Sequence, residues 1–80
     1  MKNKDRFNIK LNVKNMPIGT YFENDEYINI VINHDGGSTF GECLNYPSNP
    51  FFSSGGDSER NMYKVISPEE ANIKVLMSRE

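Results

Sequence analysis

From Phe7 to Val13 the chain reads Phe-Asn-Ile-Lys-Leu-Asn-Val, apolar and polar residues in strict turn. Successive side chains of a strand point to opposite faces, so a period of two fits an extended segment with one buried and one wet face. The spacing predicts a first strand over 6–14 with Phe7, Ile9, Leu11 and Val13 inward and Asn8, Lys10 and Asn12 outward. A second feature is the polar stretch 47–60, Pro-Ser-Asn-Pro-Phe-Phe-Ser-Ser-Gly-Gly-Asp-Ser-Glu-Arg, which has no period and breaks the pattern. Loops held on a rigid scaffold carry binding chemistry more often than strands do.

The residue supply favours strands throughout. Ala71 is the single alanine, and there are three Leu against seven Ile, so helices are poorly supported while β-branched residues supply much of the apolar set. After the first strand, Asn15-Met16-Pro17-Ile18-Gly19 reads as a turn, because proline fixes φ and glycine permits conformations that other residues avoid. A short strand follows at 19–23, a polar turn at 23–26, and a strand at 26–33 with Ile28, Ile30 and Ile32 on one face and Tyr27 and Val31 on the other. His34-Asp35-Gly36-Gly37 is a strong hairpin signal, since primed turns need positive φ. Strand 38–46 returns through Phe40, Leu44 and Tyr46. Residues 61–66 form the next strand. Ser67-Pro68-Glu69-Glu70 has the form of a helix start, which predicts one short helical turn near 68–71 before a last strand at 72–77. The expected core is Ile9, Leu11, Ile28, Ile30, Val65, Ile73 and Val75.

These elements predict an all-β chain: one small domain over 1–80, folded as a small antiparallel barrel or strongly bent sheet of five to six strands, SH3-like or OB-like, with a long polar loop at 47–60. Eighty residues bury only about 60% of their unfolded surface, so a partner or a second copy would add stability. Open edges leave room for a homodimer, with the outer edge of the 61–66 or 72–77 hairpin as its place.

With a formal charge of −2, neither a bulk nucleic-acid footprint nor a strongly acidic nucleic-acid mimic is evident. Residues 1–14 are net +4 and residues 15–60 net −6, a basic edge set against an acidic one. The start, Met1-Lys2-Asn3-Lys4-Asp5-Arg6, has no apolar run of the signal-peptide kind, no stretch approaches a membrane span, and one cysteine makes no internal disulfide. The expected location is the cytoplasm, with no membrane partner.

The order Val13-Lys14-Asn15-Met16-Pro17-Ile18-Gly19-Thr20-Tyr21-Phe22, an isoleucine-rich strand, Cys43 before Leu44-Asn45, a polar loop and a closing segment from Val65 to Val75 resembles small β-rich accessory proteins encoded by bacteriophages. The likeness spans about residues 7–77, and Pro-x-Gly-Thr-x-Phe is its compact motif. It implies a non-enzymatic role in host takeover or counter-defence, in the cytoplasm of the host. It carries no functional residue with it.

Catalytic chemistry is thinly supplied. His34 is the one histidine and Cys43 the one cysteine, and the predicted hairpin sets them about 13–20 Å apart at ~3.3 Å per residue, too far for a nucleophile and its base. No His/Cys cluster has zinc spacing, and Asp35, Asp57 and Glu59 do not match a calcium loop, so neither metal nor cofactor is expected. Ser54-Gly55-Gly56-Asp57-Ser58 can offer backbone N–H groups to a phosphate but lacks the Gly-Lys-Ser/Thr ending of a P-loop.

The expected binding residues are Tyr46, Phe51, Phe52, Asp57 and Arg60. Adjacent Phe51 and Phe52 alternate in an extended backbone, so one of them faces water, and an exposed aromatic near an arginine is the makeup of an interface anchor. The reading that follows is a non-enzymatic binding protein, an inhibitor that docks on a host protein, such as one of a defence system, and blocks its working surface. The second reading is a nucleotide or short single-stranded nucleic acid held by the aromatic and Gly-rich loop.

Overall fold

Asp25 and Gly36 are the hinges from which the sheet is built. A computed structural model describes residues 7–78. Asp25, at φ 56°, and Glu26 form a two-residue turn between β2 (Tyr21–Asn24) and β3 (Tyr27–Asp35), which pair from Asn24 against Tyr27 to Tyr21 against Ile30. Gly36 and Gly37, at φ 61° and 89°, turn β3 into β4 (Ser38–Cys43). Both turns need the positive φ that Asp and Gly tolerate. Before them lies β1 (Lys10–Asn12), and after them come β5 (Phe51–Ser53), the helix α1 (Gly55–Arg60), β6 (Met62–Ile66) and the helix α2 (Pro68–Ser78).

The six strands make one antiparallel sheet in the order β1-β6-β2-β3-β4-β5. It is a mostly β fold with an open sheet, since β1 and β5 are edges and do not meet. Cross-strand partners share a face, and the register therefore sorts the side chains. Phe22, Val65, Tyr63, Val31 and Phe51 lie on one face, where Val13 and Met16 from a 3-10 turn (Val13–Asn15) and its cap complete a buried cluster. Tyr21, Ile28 and Ile66 lie on the other, under Ala71 and Val75 of α2. The sheet is thus a central layer with a small core on each side, and the molecule is only 17 Å along its shortest axis.

Several expectations are corrected. The first strand is limited to Lys10–Asn12, and its predicted beginning at Arg6 lies outside the described residues. Asn8 takes φ 64°, which interrupts the alternation, so Phe7 packs on the core while Ile9 is exposed. The segment still binds the sheet edge, with Asn8 N–H donating to the Val65 carbonyl at 2.6 Å and Val65 N–H to the Ile9 carbonyl at 2.8 Å. The 3-10 turn then carries Val13 over the sheet.

A register shift between Val31 and Asn33 splits the isoleucine series: Ile28 is buried, Ile30 half-buried and Ile32 exposed. The expected strand at 72–77 is the body of α2. Ser67 Oγ accepts the Glu70 N–H at 3.1 Å, as a helix start requires, and the helix continues to Ser78. The apolar set Ile73, Val75 and Met77 fits a period of two, but Ala71 and Val75 one turn apart are what reach the sheet, and Ile73 faces water. The sixth strand is instead β5, inside the stretch read as a loop. The edge proposed for self-pairing also moves, because β6 is paired on both sides.

Candidate functional site

Gly41 explains why β5 forms. A Cβ there would come within 2.7 Å of the Ile30 carbonyl oxygen and 3.3 Å of Phe51 Cβ, so only glycine lets Phe51 settle opposite it. Phe51 then meets Phe22 edge to face at 5.0 Å and Tyr63 at 5.7 Å, a geometry that favours aromatic pairs beyond their buried area. Strand alternation sends Phe52 to the opposite face, where it is 58% exposed and rests on Phe40 at 5.2 Å. Of the two adjacent phenylalanines, one is a core contact and one is open to solvent.

The other expected binding residues fall into two separate groups. Tyr46 is 39% exposed and stands edge-on to Tyr27 at 5.3 Å. Asp57 and Arg60 pair with each other at 3.1 Å along α1, well exposed, and such a pair contributes little to stability. The segment 51–58 is therefore no dispensable loop. Ser58 is fully buried and its hydroxyl donates to the Ser53 carbonyl at 3.1 Å, while Asn12 and Lys14 fasten the last turn of α1 through the Glu59 carbonyl and carboxylate. The Gly-rich stretch forms the start of α1, where the Ser54 hydroxyl donates to the Asp57 carboxylate at 3.3 Å and sets a negative charge in the first turn, which disfavours a phosphate there.

His34 and Cys43 lie toward opposite ends of the β3–β4 pairing, opposite Thr39 and Asn29 respectively. Each has a local partner. The His34 ring lies 2.7 Å from the Met16 carbonyl through Nε2, which must donate, and 3.0 Å from the Thr39 hydroxyl through Nδ1. The Cys43 thiol donates to Asn45 Oδ1 at 3.2 Å. Asn45 also accepts the Ile28 N–H and donates to the Glu26 carbonyl and to Ser78, tying the hairpin to the end of α2. Among the described residues no helix is long and apolar enough to cross a membrane.

Two surfaces emerge that the sequence reading left unconnected. The first is the wet face of β4 and β5, where Phe40 supports Phe52 beyond the reach of α2. The second is a cleft of about 240 Å³, lined from the opposite face by Tyr27, Phe51, Tyr63, Asn24 and Asn29 and closed along the β5 side by Asn49, Pro50 and Phe52. Asn29 is only 2% exposed; its backbone sits in the ladder between Phe22 and Cys43, but its side chain makes no hydrogen bond to another described residue. Leaving a buried amide unpaired costs about 1–3 kcal/mol. The alternation gave no signal of its burial, because Asn29 shares the face of Tyr27 and Val31 while the isoleucines mark the other face as the core. No protein-family model, curated protein or solved structure matches this chain.

Proposed function

We propose that the chain is a non-enzymatic binding protein that docks on another protein through the wet face of β4 and β5, with Phe52 as its anchor. The supporting observation is the pairing of Phe52 with Phe40: a large aromatic, more than half exposed, rests on a second ring from a paired strand. Aromatic anchors of this kind dominate interface energetics because little rotamer freedom is lost when they are covered. The resemblance to phage accessory proteins makes the partner a host protein whose working surface is occluded in the host cytoplasm.

The test separates an anchor from a structural ring. Phe52→Ala should abolish specific capture of a partner from bacterial lysate while shifting stability by no more than about 1 kcal/mol. Phe51→Ala, by contrast, removes an edge-to-face contact from the Phe22 cluster and should lower stability by about 2–4 kcal/mol. Capture by Phe52→Ala at the native level would reject this face as the docking surface.

A further inference from the structure

We infer that the cleft walled by Tyr27, Phe51 and Tyr63 is a binding site for an uncharged purine-type base. The register places Tyr27, Phe51 and Tyr63 on the face of the sheet opposite the Phe52 side chain, and the cleft adjoins the anchor where Pro50 and Phe52 complete its lining. Asn29 carries the argument. Its side chain is almost wholly buried, has no hydrogen-bond partner among the described residues, and borders the cleft. Ser53 Oγ is the one sealed side-chain polar atom without a partner among these residues, so the Asn29 amide is not sealed: it opens into the cleft. A buried amide with one open side is satisfied by what enters from that side.

The lining then selects the occupant. Asn24 and Asn49 add two more amides, each offering a donor and an acceptor, as the N6/N7 edge of adenine requires. Tyr27, Phe51 and Tyr63 add aromatic contact for a base to a lining that is otherwise mainly polar. At about 240 Å³ the cleft is smaller than the ~300 Å³ at which drug-sized pockets begin, which suits a single ring system. No lysine or arginine lines it, and in the adjoining groove, which shares Asn24 and Tyr63, Lys10 and Lys64 are balanced by Glu23 and Asp25. Phosphate is therefore disfavoured, which separates a base or nucleoside from a nucleotide and from a nucleic-acid strand.

Titration of the native chain with adenosine, followed by nitrogen-15 NMR, tests the site. The side-chain amide signals of Asn24, Asn29 and Asn49 should move saturably, and adenosine monophosphate should bind several-fold more weakly. Asn29→Leu, which replaces the amide with an apolar side chain of similar volume, should weaken adenosine binding at least ~10-fold, the loss expected for one good hydrogen-bonding contact. Asn49→Ala lies on an exposed turn and provides a variant whose folding is not at stake. It should weaken binding as well. The inference is overturned if adenosine produces no saturable shift, if glucose at equal concentration moves the same amides as strongly, if the monophosphate binds as tightly as the nucleoside, or if both variants bind as the native chain does.

Discussion

A Cβ at position 41 would have to displace either the β3 backbone or Phe51, and neither is the free end of a flexible side chain. Gly41→Ala should therefore cost about 1–3 kcal/mol through overpacking, and the loss should appear as a lower denaturant midpoint with an unchanged slope. An unchanged midpoint would mean that β5 is loosely held. At this scale the sequence was readable where a residue's own chemistry decides its place. The two-residue alternation fixed Phe51 and Phe52 on opposite sides, and Asp25 and Gly36 announced their turns. It was unreadable where a neighbour decides. Nothing in Phe7-Asn8-Ile9 states that Asn8 takes positive φ, since asparagine tolerates that region without requiring it, and one such residue is enough to turn Ile9 from the core. Gly41 reads as a weak point in a strand until its opposite number, Phe51, is known.

Among the elements, α2 departs furthest from what its residues suggest. Ile73, Val75 and Met77 have strand-like types and spacing, and the helix prevails through contacts that no local pattern contains: Ala71 against Ile28 and Ile66, and Lys74 against Glu23 on β2. Glu70, one turn before Lys74, adds a second carboxylate. The hydrogen bond from Lys74 to Glu23, together with the charge of both carboxylates, holds the ammonium above its ordinary value of 10.5, outweighing the opposing effect of burial. A folded-state value above the unfolded one gives stability that is complete below pH 10.5 and is lost as pH rises through the folded value. Lys74 is partly solvated, so the effect is modest. The expected result is that the native protein loses more melting temperature than Lys74→Met between about pH 9 and pH 12, with the difference between them shrinking at the alkaline end. Parallel curves for the two proteins would show that the ion pair does not fasten the helix. The outer side of α2 leaves Ile73, Leu76 and Met77 exposed, so the contacts that hold this helix are few and one-sided.

Across the whole molecule, this uneven packing grades stability from the centre of the sheet outward. β2, β3 and β6 carry core on both faces: Phe22, Val31 and Val65 on one, Tyr21, Ile28 and Ile66 on the other. α2 is held by Ala71, half-buried Val75, the Lys74 pair and the bond from Asn45 to Ser78. Local opening is easiest where buried apolar contacts are few, so amides near the end of α2 should exchange hydrogen at least ~10-fold faster than those of Phe22, Val31 and Val65, which should open only with global unfolding. Amides of β5 should fall between, because one side of that strand is free while Phe51 is packed. The same gradient bears on binding. The Phe52 side chain and the aromatic wall of the asparagine cleft lie on opposite faces of β5, with Phe52 also bordering the cleft, so ordering β5 from either face would slow its exchange without altering that of α2. Native-state hydrogen exchange with adenosine present or absent reads this directly. Equal protection along β5 and the sheet centre in the free protein would remove the gradient, and with it any coupling between the two faces.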